Sequence, residues 1–306
     1  MIPHVSNDDD TFNLIKAEAE RLFISGQPGA AQPIIDDLAR VQAEEEAAIE
    51  AFLRRKRLRI EAAIELEERA GNIAGVVDKL FLWAGIEGKT EFGAIATFVF
   101  IKACDYTMGV VQAESLTRLL IAKAIYEALL DRLPREQDPH MRARTQNNLG
   151  VVLKKLSERL DGEAASLALT QAEAAFDATR HVWTRKNFPY EWARREFSFG
   201  KLWKIKGQRL EGVAAIYALK RARQAFDAAL EVRTREEYPT DWANTCKDIA
   251  ELARLGFEKT GDNRYLIEGT LAAGDALVVF REAEYEDGIK ACENLISEFN
   301  ALTAAV

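Results

Sequence analysis

The sequence has few residues of the kinds that build metal centres, disulfide frameworks or redox sites. It contains three cysteines (Cys104, Cys246 and Cys292) and three histidines among 306 residues. The cysteines are odd in number, far apart and without a C-x-x-C motif, which argues against a disulfide framework. The histidines are equally scattered, so we expect no bound metal and no cofactor. Seven prolines also exclude a collagen-like or proline-rich chain.

The motifs of the common enzyme classes are missing as well. The sequence has no G-x-x-x-x-G-K-[ST] loop, no G-x-G-x-x-G after a strand, no H-E-x-x-H and no G-x-S-x-G. These patterns place phosphates, dinucleotides, zinc ions and nucleophilic serines. We therefore name no catalytic residue and interpret the protein as non-enzymatic.

Long hydrophobic runs and a visible targeting segment are also absent. The most apolar stretch, residues 92–101, has about half the length of a membrane span. The first ten residues show neither a basic nor an apolar region of a secretory signal. We expect a soluble, cytoplasmic protein without membrane contact. The net charge of −8 argues against general nucleic-acid binding, and 48% hydrophobic residues allow a large core.

A repeat of fifty residues runs through the second half of the chain. The aligned positions are Pro139, Pro189 and Pro239; Ala143, Ala193 and Ala243; Tyr126, Phe176 and Phe226; and Gly150, Gly200 and Ala250. Between Ala175 and Ala193, ten of nineteen positions are identical fifty residues later. A spacing kept without a gap over three units indicates one structural unit used repeatedly.

Each unit is predicted to be a pair of helices. Proline is suited to a first helical turn, because its missing N–H is not needed there. From Pro189 to Gly207, apolar residues recur at spacings of three, four and seven, which indicate one buried helix face. Gly212 then marks a turn, and a second helix is predicted from about Val213 to Val232. No stretch alternates as a strand does, so the chain is expected to be all-α.

The repeat predicts the organisation of the whole chain as a helical-hairpin solenoid in which each unit touches its neighbours. An N-terminal helical region at 1–88 is predicted to hold a long helix from about 30 to 70 and a short helix capped by Asn72. The units that follow are a degenerate one at 89–138, with helices at 91–105 and 115–133, three regular ones at 139–188, 189–238 and 239–285, and a C-terminal capping helix at 286–306.

The unit resembles a long-helix variant of the tetratricopeptide repeat (TPR) of bacterial arrays. The P-x-x-W-A start stands at 189–193 and 239–243, the N-L-G centre at 148–150, and the T-R pairs at 184–185 and 234–235. The resemblance covers roughly residues 115–285. The units are fifty residues long instead of the usual thirty-four, and the first one lacks the tryptophan. The resemblance implies a TPR-like superhelix whose concave groove binds a segment of another protein.

The resemblance also implies where that groove lies, on one face of the first helix of each unit. The residues predicted to bind the partner are Arg144, Asn147, Asn148 and Lys154; Arg194, Ser198, Lys201 and Lys204; and Asn244, Lys247 and Arg254. Asparagine amides pair with peptide backbone, and lysine and arginine give charge-assisted hydrogen bonds to carboxylates. The expected partner is an acidic peptide segment, a C-terminal carboxylate or a neighbouring effector subunit.

A charge asymmetry favours this groove and leaves two alternatives open. Residues 180–223 contain twelve basic and three acidic residues, a net +9, so the rest of the chain carries −17. A solvated helix face, whose basic residues pair with acidic residues of adjacent units, would explain the same charges. Nucleic acid is the second functional hypothesis, because aromatic residues that could stack on bases alternate with the cations; they are Trp183, Tyr190, Trp192, Phe197, Phe199 and Trp203.

The N-terminal region suggests a third hypothesis, a self-assembling structural subunit. Residues 54–57 and Arg59 are basic, with glutamates on both sides. Glu50 with Arg54, and Arg57 with Glu61, are four apart and can pair. We interpret the segment as an exposed or coiled-coil-like helix. The apolar block 92–101 is predicted to be buried, although a homo-oligomer face would have the same pattern.

Overall fold

The computed structural model describes residues 28–86, 92–108, 116–133 and 138–305, together with positions 17, 20, 21, 24 and 25. These residues form helices and connecting turns with no strand among them, which confirms the all-α prediction. The predicted helix starts at 91 and 115, the boundary at 88 and the residues before 17 lie outside this description. The helices are α1 (Pro28–Arg69), α2 (Ile73–Ile86), α3 (Phe92–Met108), α4 (Leu116–Arg132), α5 (Pro139–Ser157), α6 (Gly162–Asp177), α7 (Pro189–Arg209), α8 (Gly212–Leu230), α9 (Pro239–Thr260), α10 (Arg264–Glu282) and α11 (Glu286–Ala304).

Helix ends follow the local sequence signals. Helices α5, α7 and α9 each begin at the repeated proline. Asp138 caps α5, since its Oδ1 accepts a hydrogen bond of 2.8 Å from the Met141 amide. Asn72 caps α2 as predicted, accepting from the Gly75 amide at 3.2 Å. Helices α6 and α8 begin at Gly162 and Gly212, both at φ +57°, a conformation that favours glycine.

Neighbouring helices in the chain are also neighbours in space. Helix α5 packs on α6, α7 on α8, and α9 on α10, so each fifty-residue unit is a helical hairpin. The first helices also contact one another from unit to unit, α3 with α5, α5 with α7, α7 with α9, and α9 with α11. Side chains from several first helices can therefore meet on one side of the protein.

The conserved spacing within the repeat places a small residue opposite a large one. A Cβ at Gly150 would lie 2.6 Å from the Phe176 ring, and one at Gly200 would overlap the Phe226 ring. Both phenylalanines are fully buried. The corresponding positions in the third unit hold Ala250 and Ala276. In the first two units the phenylalanine ring of the second helix fills the space that a Cβ of the first helix would need, and the first helix has glycine there. In the third unit the second helix has alanine at that position, and the first helix has alanine as well.

The N-terminal region joins the same core through a few residues. Ile60 and Ile64 of α1 are buried with α2 and with Ala96 and Val99 of α3. The predicted burial of the 92–101 block is confirmed for Ala96, Val99 and Phe100, whereas Ile101 is 54% exposed. None of the helices in the described part of the chain has the length and apolarity needed to span a membrane.

Candidate partner-binding cleft

A cleft of about 390 Å³ crosses the first helices of three consecutive hairpins. Helix α7 lies in the middle, with α5 on one side and α9 on the other. One further residue comes from the turn between α8 and α9. The lining residues are Asn147, Asn148, Val151, Lys154 and Lys155; Arg194, Phe197, Ser198 and Lys201; Arg233; and Asp241, Asn244, Lys247 and Asp248.

Helical periodicity explains why these side chains meet. Asn147, Val151 and Lys154 are four and three residues apart on α5, so they lie on one face. Arg194 and Lys201 are seven apart on α7, with Ser198 between them. Because the units have equal length, the matching faces of successive first helices point to the same side of the protein.

Eight of the eleven residues predicted from the sequence line this cleft, and three lie elsewhere. Arg144 places its guanidinium 4.7 Å from the centre of the Phe100 ring. Lys204 is buried in an ion cluster with acidic residues of α9. Arg254 lies 3.6 Å from Glu258 and 3.7 Å from Glu298.

Six lining residues are outside the predicted partner-binding set: Val151, Phe197 and Asp248, which share its helix faces, and Lys155, Arg233 and Asp241. Arg233 carries a signal that could have revealed it. Fifty residues earlier the same repeat position holds Trp183, which is fully buried, and Arg233 is itself only 3% exposed. A cation at a buried repeat position indicates a local polar requirement. Its guanidinium lies 4.7 Å from the Phe197 ring centre and 3.8 Å from Asp241.

The cleft carries an excess of positive charge. Its lining holds six basic and two acidic side chains. Both acids have partners within the protein: Asp241 accepts a 2.8 Å hydrogen bond from the Tyr190 hydroxyl, and Asp248 accepts one of 2.6 Å from Lys204. Lys154, Lys201 and Lys247 also have acidic partners, but the cations outnumber the acids, so the local field favours an anionic ligand.

Burial disfavours the charged form of three cations of the lining. Removal from water lowers the pKa values of Lys154, Arg194 and Arg233, because a buried cation is poorly solvated. Arg144 lowers the pKa of Arg194 further, and Lys201 acts in the same direction on Lys154. The negative charge of an anion in the cleft would offset both effects.

Polar atoms in the cleft lack partners among the described residues. They are Oδ1 of Asn147, Nε of Arg194 and Nε of Arg233. Asn147 is 2% exposed, and its amide nitrogen makes only a long contact of 3.4 Å with Asn148. A buried polar group without a partner costs about 1–3 kcal/mol of stability. One acceptor and two donors that belong to lining residues are thus buried and unmet, and a ligand would reach them once their side chains turn toward the cleft.

Outside the cleft, the basic stretch 180–223 is largely paired with acids of adjacent units. Arg185 lies 2.5 Å from Glu231, and Lys206 contacts Glu173 of α6. Arg223 contacts Glu268 of α10. The surplus of +9 along the sequence is therefore distributed over several faces, as expected for solvated helices that pair with neighbours.

The aromatic residues of the stretch are mostly packing residues. Trp183 and Phe199 are buried. Tyr190 stacks against Tyr238 with ring centres 5.0 Å apart. Trp203 packs edge-on against Tyr217 and is covered by Lys206 at 4.5 Å. Phe197 is the one aromatic side chain of the cleft lining, so the cleft offers no row of rings on which successive bases would stack.

No protein-family model matches the chain, and no curated protein matches its sequence. In the part of the chain that the structure describes, no three histidine, cysteine, aspartate or glutamate side chains are grouped as metal ligands. Function is therefore inferred from the cleft and from the helices that build it.

Proposed function

We propose that this protein is a non-enzymatic interaction scaffold or regulator of TPR-like construction, which binds an acidic segment of another protein in the cleft. The hairpins would stack as a solenoid with the cleft on its concave side. The contacts between successive first helices and the exact fifty-residue spacing of their prolines support this arrangement.

The observation that carries the proposal is the polar composition of the cleft. Six cations and two carboxylates line the cleft, and the cations keep a surplus after their pairs within the protein are counted. Three buried polar atoms of the lining residues have no partner. A peptide would satisfy both kinds of group, because its acidic side chains meet the cations and its backbone offers donors and acceptors. Asn147, Asn148 and Asn244 belong to the lining, and their amides would pair with the peptide backbone.

Nucleic acid is the less favoured ligand. A phosphate backbone would meet the same cations as an acidic peptide, so the aromatic residues decide between the two ligands. The buried positions of Trp183 and Phe199 remove two of the rings on which the nucleic-acid hypothesis depended.

Selection from a library of short random peptides tests the proposal without assuming a partner. The wild-type protein is expected to enrich sequences rich in Asp and Glu. The Lys201→Ala/Lys247→Ala variant should bind the selected peptides at least about tenfold more weakly, since each charge-assisted hydrogen bond contributes about 1.5–3 kcal/mol. Lys201 and Lys247 line the cleft and are partly exposed, so the variant should keep its helical circular dichroism.

Arg254→Ala/Lys290→Ala is the matched control, because it removes two positive charges outside the cleft lining. It should bind the selected peptides as wild type does. Equal losses in both variants would show a non-specific charge effect and contradict the proposal. Tight binding of a single-stranded DNA oligonucleotide, lost on Lys201→Ala/Lys247→Ala and steeply weakened by salt, would replace a protein ligand with nucleic acid.

A further inference from the structure

The cations of the cleft differ in whether they have an acidic partner within the protein. Lys154, Lys201 and Lys247 lie 3.0, 3.6 and 3.5 Å from a carboxylate oxygen. Arg233 lies 3.8 Å from one. Arg194 is different, because its guanidinium forms no ion pair and donates no hydrogen bond to any described residue. An arginine without an internal counterion therefore lines the cleft on its central helix, α7.

Two other arginines add to the positive charge around Arg194. Arg144 holds the same repeat position on α5, fifty residues earlier, and also forms no ion pair with any described residue. Burial lowers the pKa of Arg194, and the charge of Arg144 lowers it further. Burial also lowers the pKa of Arg233, and the charge of Arg194 acts in the same direction. Arg194 is thus repelled by two other guanidiniums.

Little negative charge offsets this repulsion. The other titratable groups that act on Arg194 are Tyr190, Glu191 and Cys104. Burial and a hydrogen bond to a carboxylate raise the pKa of Tyr190, so its hydroxyl is neutral at physiological pH. Glu191 forms no ion pair with Arg194. Six cations and two carboxylates line the cleft, and two further carboxylates pair with its lysines. Among the described residues, the cations of the lining thus outnumber these carboxylates by two.

Guanidinium groups suit phosphate better than they suit a single carboxylate. The planar fork of arginine donates two parallel hydrogen bonds to a phosphate. A phosphorylated side chain carries a charge of about −1.5 to −2 at pH 7 and three acceptor oxygens, whereas a glutamate carries one charge and two oxygens. Arg194 and Arg233 each have an unmet Nε donor, and Arg233 is only 3% exposed. One phosphate could accept from both arginines and balance the surplus charge.

We propose that the cleft recognises a phosphorylated side chain of its peptide ligand, held by Arg194 and Arg233 with Arg144 at the edge. The inference rests on the proposed function, since it specifies which kind of acidic peptide the cleft binds. The lysines of the cleft then meet acidic side chains on either side of the phosphorylated residue, and its asparagines pair with the peptide backbone.

Three random peptide libraries, identical except for a fixed central phosphoserine, glutamate or serine, test the inference on the wild-type protein. Peptides selected with phosphoserine should bind at least about tenfold more tightly than the same sequences with glutamate, because phosphate brings more charge and a third acceptor oxygen. Affinity for the phosphopeptide should fall below about pH 6, where phosphate loses its second negative charge. Affinity for the glutamate peptide should hold down to about pH 4.

Arg194→Lys separates the arginine geometry from its charge. It should weaken binding of the phosphopeptide about tenfold and change binding of the glutamate peptide less than about twofold, because lysine keeps the charge and loses the fork. Arg144→Lys is a second variant, with a smaller loss expected in the same direction. Arg254→Lys, outside the cleft lining, is the matched control and should bind both peptides as wild type does. Circular dichroism shows that each variant is folded.

The possible failures can be told apart. Equal affinity for phosphoserine and glutamate peptides would overturn the phosphate inference and leave acidic-peptide binding standing. A phosphoserine preference that Arg194→Lys and Arg144→Lys leave unchanged would overturn the assignment to these arginines. No binding from any of the three libraries would overturn the proposed function as well. Tighter binding of a 5′-phosphorylated single-stranded DNA oligonucleotide than of the phosphopeptide, lost in Arg194→Lys, would replace the peptide with a nucleic-acid end.

Discussion

Replacing Phe226 with alanine is expected to lower the free energy of unfolding by about 3–5 kcal/mol. The side chain is fully buried between α7 and α8, close to Gly200 and 5.9 Å from the Phe197 ring centre. Its removal leaves a cavity that the surrounding helices cannot fill without moving. Chemical denaturation of the two proteins, followed by circular dichroism, measures the difference.

The same contact predicts that Gly200→Ala depends on its neighbour. In the wild-type protein a Cβ at this position would overlap the Phe226 ring, so the substitution should destabilise by about 1–3 kcal/mol. In the Phe226→Ala protein the ring is absent, and Gly200→Ala should cost nothing or stabilise by up to about 1 kcal/mol through helix propensity. Additive effects of the two substitutions would show that Gly200 and Phe226 do not share this space.

Replacing Lys204 with alanine is the second substitution for which we expect a large loss of stability. Lys204 and Asp248 are 7% and 2% exposed, and their charged atoms lie 2.6 Å apart. Glu251 also contacts the Lys204 ammonium. Lys204→Ala leaves a buried carboxylate whose nearest remaining cation, Lys201, is 3.6 Å away. The expected loss is about 3–5 kcal/mol, as for other buried pairs that lose one member.

The pH dependence of this loss follows from the pKa shifts. Burial raises the pKa of Asp248, but Lys204 and then Lys201 and Lys247 outweigh it, so the pKa is lowered. Such a carboxyl contributes stability above its unfolded pKa of about 3.9 and loses it as the pH falls through the lower folded value. Burial alone would lower the pKa of Lys204, but the charges of Asp248 and Glu251 outweigh burial and raise it. The contribution of the Lys204 ammonium to stability is therefore lost only above about pH 10.

The difference in stability between wild type and Lys204→Ala should therefore be largest near neutral pH and should shrink below about pH 4. Adding Asp248→Ala to Lys204→Ala should recover part of the loss, since the isolated charge is then gone. A difference that stays constant with pH, or a double variant that is weaker than Lys204→Ala, would show that the ion pair is not what stabilises this site.

The helical architecture was predictable from the sequence because its signals are local. Proline at 139, 189 and 239 starts helices, and Gly212 begins one after a turn, through backbone preferences that need no tertiary contact. The fifty-residue spacing also relates Gly200 to Phe226, although only the structure shows that they share one space.

The cleft was predictable only in part, because helical periodicity shows which residues share a face but not which other helices pack against that face. Lys204 and Lys201 lie on nearly the same face of α7. The approach of α9 buries Lys204 against Asp248 and leaves Lys201 in the cleft. Arg233 comes from a turn, where helical spacing carries no information, and its role emerges from its contacts with Phe197 and Asp241.

The most direct test of peptide binding in the cleft is Asn147→Leu, with stability and affinity measured on the same protein. Asn147 is 2% exposed and its Oδ1 has no partner among the described residues, so leucine should raise the free energy of unfolding by about 1 kcal/mol. The selected acidic peptide should bind at least about tenfold more weakly, because its backbone loses a hydrogen-bonding partner.

Gln146→Leu, on the same helix but outside the cleft lining, should change neither quantity by much. A gain in stability with a loss of peptide affinity is the result we predict for a residue that serves a ligand. A loss of stability with unchanged affinity would show that Asn147 serves the fold, and would contradict peptide binding in this cleft.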